Sequence, residues 1–255
     1  MAAKDFMKQA IFKHVLPAIG LICFGLWLPA PIRSFATDQP ARLQTPEAQH
    51  KLVQFQLAIL REGPQWIPPS RPESAPVWKN HFAYVTSLLA AGKAIIAGPF
   101  GDDGDIRGIY IFRAKSAAEA SEWVQADPAI TSGYLKAELH PWWAEDVMKP
   151  AVLPLKFTPA YFAFLRRGAK WTAEQTAETE ALQKAHLANI NRLAQMKKLV
   201  VAGPFGDDGD LRGIFVFRAA SLEEAESLAA TDPAVKAGRL TLEFHPWQVP
   251  EGILP

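Results

Sequence analysis

Four residues carry the clearest acid–base potential of the chain. His81 and Asp127 lie 46 positions apart, His186 and Asp232 lie 46 apart again, and the second pair follows the first by 105. A histidine exchanges protons near neutral pH, and a carboxylate beside it fixes which ring nitrogen carries the proton. Such a pair suits general acid/base work, either proton abstraction or elimination. The plainer reading is a packed core histidine and an aspartate that stops a helix. Residue types alone leave both open.

Three other groupings have chemical potential. Glu138 with His140, and Glu243 with His245, are two apart in alternating stretches, so each pair projects to one strand face. That face either lines the space between two sheets or meets water. The loop PFGDDGD places Asp102, Asp103 and Asp105 together, and its copy places Asp207, Asp208 and Asp210. It lacks the glutamate and the length of an EF-hand. It is read as a turn in which Gly101 and Gly104 supply positive φ, with its aspartates in water and no metal assigned. Arg107 and Arg212 beside it either clamp an anion or pair with those aspartates. Tyr110, Phe112, Trp142 and Trp143 either wall an apolar pocket or are plain core.

These candidates come in twos because the chain contains one stretch twice. Residues 93–113 and 198–218 are identical at 15 of 21 positions, and the other six exchange one apolar residue for another. The same offset aligns Trp66 with Trp171 and His140 with His245, so the duplication runs without a gap from about residue 55 to residue 142. A repeat of this period is a duplicated domain. Hydrophobic content of 49% and charged content of 21% suit two small globular units.

Each copy spells β-α-β-β-α-β. LVQFQLAIL (52–60) and AYFAFL (160–165) read as buried strands. First helices follow over about 77–91 and, starting at Thr172, about 173–196, each with its histidine on the apolar stripe. Two strands then flank the acidic loop. Second helices open on Ser116-x-x-Glu119 and Ser221-x-x-Glu224 and stop at Asp127-Pro128 and Asp232-Pro233. YLKAELHPW and RLTLEFHPW close the copies, and 143–158 is the linker. This order is the ferredoxin-like motif, a four-stranded antiparallel sheet with both helices on one face. The bare face needs cover, and the second copy is the natural partner. The expected fold is α+β: two ferredoxin-like repeats packed as an intramolecular barrel, a pseudo-dimer within one chain that leaves room for a higher oligomer.

The N-terminus reads differently. Lysines 4, 8 and 13 precede the apolar core AIGLICFGLWL (18–28), and Ser34-Phe35-Ala36 supplies the small residues of a signal-peptidase site. That core is about half the roughly 20 residues of a membrane span. Residues 1–36 are therefore read as a cleaved signal peptide, which N-terminal sequencing tests directly, and 37–50 as a flexible arm. The expected location is periplasmic or secreted, with no membrane attachment after cleavage. Cleavage removes Cys23, the only cysteine, and with it thiolate chemistry and cysteine–metal sites. It also removes four cationic side chains and one acidic one, taking the net charge from +1 to −2. No basic stripe remains for nucleic acid.

The ordered set His186-Leu187-Ala188, Ala202-Gly203-Pro204, Glu224-Ala225, Asp232-Pro233 and Gly238 resembles the YciI-like (YCII-related) family. The first copy repeats it as His81, Ala97-Gly98-Pro99, Glu119-Ala120, Asp127-Pro128 and Gly133. The resemblance implies a dimeric α+β barrel, here fused in tandem, and a His–Asp pair in each cleft. His81, Asp127, His186 and Asp232 are then the candidate catalytic residues. Gly98, Pro99 and Arg107, with Gly203, Pro204 and Arg212, are the candidate substrate-binding residues. Relatives of the family include dehydrochlorinating enzymes of aromatic degradation, and muconolactone isomerase shares the architecture. The signal peptide, the proline-rich insert before His81 and the ending His-Pro-Trp depart from the family pattern. The expected function is binding of a small organic molecule in each half, with the histidine as general acid/base. The alternative is a non-catalytic periplasmic binding or structural module. No cofactor is assigned; haem, found in some α+β barrel families, has only fold analogy behind it.

Overall fold

The computed structural model describes residues 51–255. The signal-peptide and arm assignments, 1–36 and 37–50, lie outside the described residues. The first repeat comprises β1 (Leu52–Glu62), α1 (Ala75–Ala90), β2 (Ala94–Pro99), β3 (Ile106–Phe112), α2 (Ala117–Gln125), a one-turn α3 (Pro128–Thr131) and β4 (Leu135–Glu145). The second comprises β5 (Phe157–Arg167), α4 (Ala177–Gln195), β6 (Leu199–Pro204), β7 (Leu211–Phe217), α5 (Leu222–Ala229), α6 (Pro233–Lys236) and β8 (Leu240–Pro250). The eight strands coincide between repeats at an offset of 105, residue for residue. The strands β4 and β5 extend into the expected linker, which narrows to 146–156.

Both sheets are wholly antiparallel, in the orders β2-β3-β1-β4 and β6-β7-β5-β8. Strand alternation sends one set of side chains toward the helices and the other toward the second sheet. From β1, Ala58 and Leu60 pack under α1 with Val85, Leu88 and Leu89. Their neighbours Phe55, Leu57 and Ile59 join Ile109, Ile111, Phe162, Phe164, Ile214 and Val216 in one apolar core built from both repeats. The bare faces therefore cover each other, which is the α+β barrel.

Helix ends follow local chemistry, with two corrections. The second-repeat helix begins at Ala177, not near 173. Thr176 is its N-cap: its hydroxyl accepts from Thr179 N, and Thr179 Oγ1 accepts from Thr176 N. That reciprocal box satisfies two end donors, whereas Thr172 Oγ1 accepts only from Glu174 N in the preceding turn. Asp127 and Asp232 do more than stop a helix. Each caps a new one-turn helix, accepting from Ala129 N and Ala234 N at 2.9 and 2.8 Å.

The barrel closes where β2 meets β8 and β6 meets β4, with antiparallel bridges Phe100–Trp247 and Phe205–Trp142. There Trp247 Nε1 donates to the Gly98 carbonyl (3.2 Å) and Trp142 Nε1 to the Gly203 carbonyl (3.1 Å). Gly101 N donates to Pro246 O and Gly206 N to Pro141 O. His245 Nδ1 lies 2.5 Å from Asp102 Oδ2, and His140 Nδ1 lies 2.7 Å from Asp207 Oδ2. His245 also stacks on Phe100 with ring centroids 4.4 Å apart. The motif His-Pro-Trp of each repeat thus grips the glycine-rich loop of the other.

The backbones approach too closely for a side chain. A Cβ on Gly98 would sit 2.1 Å from Gln248 O, and one on Gly203 would sit 1.8 Å from Trp143 O. Gly98→Ala and Gly203→Ala are each expected to destabilise the protein by about 1–3 kcal/mol, the usual cost of overpacking. Gly101→Ala, whose Cβ would have only ordinary contacts at 3.6 Å and beyond, is the near-neutral control. Equilibrium denaturation of the three variants measures the difference.

The seam also titrates. Glu243 lies 3.6 Å from His245 Nε2, farther than a hydrogen bond, and accepts from Arg166 Nε at 2.5 Å. His245 first, and Arg166 with it, hold the Glu243 carboxyl down to about 2, against burial, which pushes it up. Its pKa is depressed on folding. The stability it contributes is therefore full above the ordinary carboxylate value of about 4.5 and lost as pH falls toward 2. Denaturation midpoints between pH 5 and pH 2 are expected to fall less steeply in Glu243→Gln than in the wild type.

Candidate functional site

Three elements converge at the first pair. The spacing on α1 that turns Val85, Leu88 and Leu89 onto the sheet also turns His81 inward. Tyr110 rises from β3 on the helix-facing side, and the α3 cap holds Asp127. His81 Nδ1 lies 2.9 Å from both Asp127 oxygens, and Tyr110 OH donates to Oδ2 at 2.6 Å. With Ala129 N, three donors surround a carboxylate that is 0% exposed. A buried charge is tolerable when it is so satisfied. Burial, and then the Asp127 charge, keep Tyr110 well above the ordinary phenol value, so its hydroxyl stays a donor.

The second pair repeats this with one part changed. His186 Nδ1 lies 2.7 Å from Asp232 Oδ2, and Asp232 is likewise 0% exposed. Phe215 stands where the first repeat has Tyr110, and its ring lies under His186 at 6.0 Å and 20°. Asp232 therefore lacks the hydroxyl donor. The histidine side chains are 19% and 11% exposed. Their Nε2 atoms are absent from the buried unpaired groups, unlike those of His140 and His245. With Nδ1 held by aspartate, Nε2 is the nitrogen each pair offers outward.

The approaches to the two pairs differ. Beside His81, Trp78 stands edge-on at 5.5 Å and meets Trp66 (5.4 Å) and Tyr134 (5.9 Å), its indole nitrogen bonded to Ile67 O. The proline-rich insert supplies Trp66 and Ile67 to this wall, folding as a turn and a short 3-10 segment (Pro72–Ser74) ahead of α1. In the second repeat Gln183 takes the place of Trp78. A cleft of about 240 Å³ opens along α4, lined among others by Leu182, one turn before His186.

The remaining candidates fall elsewhere. Gly98, Pro99, Gly203 and Pro204 lie on the strands that cross at the seam, and the Cβ directions of both glycines point at the other repeat. The structure does not bring them to the His–Asp pairs. Glu138/His140 and Glu243/His245 do share a face, and it is the one toward the other repeat. Arg107 and Arg212 sit against the loop, where the charges of Asp208 and Asp207 act on Arg212. They donate to loop carbonyls, Arg107 to Asp102 O and Gly104 O, Arg212 to Asp207 O and Gly209 O. The loop turns without positive φ at Gly101 or Gly104, and its aspartates are not simply in water: Asp105 and Asp210 pair with Arg61 and Arg166, while Asp102 and Asp207 bind the seam histidines. Tyr110, Phe112 and Trp142 are core, and no group of three or more His, Cys, Asp or Glu among the described residues is arranged to hold a metal. No helix among the described residues is long and apolar enough to cross a membrane.

Removing a carboxylate should cost more in the first repeat, where Tyr110 is orphaned along with His81 and the α3 amide. At about 1–3 kcal/mol for each donor left unpaired, Asp127→Ala is expected to destabilise more than Asp232→Ala. Tyr110→Phe, which reproduces the second repeat, should account for the gap when all three are measured by denaturation. Equal losses for the two alanine variants would mean that the tyrosine bond contributes nothing.

The family model of the YCII-related domain matches residues 56–142 and again 161–247. An uncharacterised protein of Bacillus subtilis (strain 168), YjpA, is 35% identical over 78 residues, covering 29% of this chain and 89% of that protein. Solved structures share the architecture. A chlorite dismutase mutant from Candidatus Nitrospira defluvii superposes with TM-score 0.50 at 12% identity, over 80% of this chain and 93% of that one. A putative chlorite dismutase does so with TM-score 0.50 at 11% identity, over 80% and 95%. Likeness at that identity is one of fold and brings no ligand with it. The two family matches together span more than half of the chain, each containing one His–Asp pair, and the chain belongs to the YCII-related domain family.

Proposed function

We propose that each repeat binds a small organic molecule against its His–Asp pair, with His81 or His186 as general acid/base. The supporting observation is the orientation of the imidazoles. A buried aspartate holds Nδ1 in both copies, which leaves Nε2 as the ring nitrogen turned away from the carboxylate. That is the arrangement a general base needs, with the proton-accepting atom facing a ligand and its tautomer fixed from behind. A proton next to a carbonyl, or next to a leaving group, is the kind of substrate atom it would take. Asp127 and Asp232 are positioning residues in this scheme, since they act through the ring.

A second reading has its own support. The same carboxylates cap α3 and α6, so each pair also ties the first helix of its repeat to that cap. In a structural or merely binding module the histidine would be a clip.

Reactivity separates the two. Carbethoxylation by diethyl pyrocarbonate, mapped by mass spectrometry, is expected to modify His81 and His186 at Nε2 while His140 and His245, whose Nε2 atoms are buried, stay protected. Asp127→Asn should slow modification of His81 and leave His186 unchanged. A screen of small carbonyl and carboxylic acids, followed through the imidazole ¹⁵N signals, should then find compounds that move Nε2 of these two residues. Resistance of both to the reagent, or a screen in which no compound moves either signal, would make the clip the correct account.

A further inference from the structure

The two repeats differ most in charge around one shared tryptophan. In the first, Trp66 faces Arg107 at 5.1 Å from ring centre to guanidinium, and Glu62 lies 4.0 Å from that arginine. Tyr134 completes the surroundings. In the second, Arg167 replaces Glu62 and Arg239 replaces Tyr134, while Arg212 keeps the place of Arg107. Trp171 is thereby ringed by three guanidinium groups at 4.6, 4.7 and 5.5 Å, those of Arg239, Arg212 and Arg167. Two exchanges turn a locally neutral set into one with three positive charges.

Those charges are only partly answered from within. Arg167 and Arg212 spend donors on the carbonyls of Asp207, Asp208 and Gly209. Asp208 and Asp207 offset Arg212 in part, but Asp207 is also held by His140. Arg212 Nε and Arg239 Nη1 are buried and have no hydrogen-bond partner. Burial lowers both guanidinium groups below their ordinary value, and Arg167 lowers Arg212 further. Like charges gathered over one ring with donors to spare are costly unless an anion completes them.

Space adjoins one of them. Arg239 lines the cleft of about 240 Å³ with Lys170, Thr172 and Leu182 and with the exposed Glu174 and Glu178, while Arg167, Arg212 and Trp171 are not part of its lining. We infer that the second repeat carries a binding site for a small oxyanion, a carboxylate or phosphate group, held by Arg239, Arg212 and Arg167 beside Trp171, and that the first repeat carries none. Planar guanidinium forks match both groups in bidentate geometry. The inference stands whether or not His186 is catalytic.

The sister repeat supplies the controls, because its residues already fold in the same frame. Isothermal titration of the full chain at low ionic strength with inorganic phosphate, and separately with succinate, is expected to give saturable binding at one site per chain for at least one probe. The probe that binds assigns phosphate or carboxylate. Arg239→Tyr and Arg167→Glu, each the first-repeat residue, should each weaken binding by about tenfold or more, the range for loss of charge-assisted hydrogen bonds. Arg107→Gln in the first repeat should leave it unchanged. Absence of saturable binding by both probes, two equal sites per chain, or affinity unchanged in the Arg167→Glu/Arg239→Tyr double variant would overturn the inference. The stoichiometry is read on the wild type, so the result does not depend on the variants folding.

Discussion

The barrel depends on a backbone crossing that admits only glycine. At Gly98 and Gly203 the chain passes so near the facing strand that a methyl group would overlap a carbonyl oxygen. That proximity lets the Trp247 and Trp142 indoles reach the glycine carbonyls, and lets the His-Pro-Trp segments close over the loops. Two four-stranded sheets with one bare face each are unstable in water; joined at both edges they share a core containing Phe55, Phe162 and both tryptophans. The near-identity of the glycine-rich loops follows from this. Each must fit the same partner on the opposite repeat, so neither can drift alone.

The closed barrel supplies a rigid floor for the helices, and the His–Asp pairs stand on that floor's outer side. The strand β3 serves both faces: Ile109 and Ile111 go into the barrel while Tyr110 goes outward to Asp127. The barrel interior can therefore stay constant while the outer surface diverges. Divergence is what the two repeats show, in Tyr110 against Phe215, Trp78 against Gln183 and Tyr134 against Arg239.

Much of this was legible in the sequence because the duplication doubled every signal. Strand order, helix faces and the partnership of His81 with Asp127 came from periodicity, capping patterns and family resemblance. What stayed hidden were contacts across long separations. Asp102 meets His245 from 143 residues away, and nothing local to PFGDDGD announces a partner in the other repeat. The loop therefore read as a solvated turn, and the strand pair Glu243/His245 could be given a face but no partner. Thr172 and Thr176 are both credible caps, and the choice turns on Thr179, whose hydroxyl accepts from Thr176 N. The arginine ring is legible only in part. Arg212 stands out beside the acidic loop, but Arg167 and Arg239 are ordinary residues in two other segments, and only a position-by-position comparison of the copies, attending to differences instead of identities, marks those two.

That comparison bears on what a fused pseudo-dimer makes possible. In a symmetric dimer of identical chains every substitution appears in both clefts, so a change that opens one site opens the other. Fusion removes the constraint. The first cleft can fill with Trp66, Trp78 and Tyr134, and the second can lose Trp78 and gain Arg167 and Arg239, while the seam holds both copies to one register. The distribution of the changes follows from that. The crossing glycines, the seam histidines and tryptophans and the capping aspartates are the same in both copies, because each is fixed by a partner that cannot move. The residues beside the imidazoles are free to differ, and there a single chain can carry two sites of different chemistry on one frame.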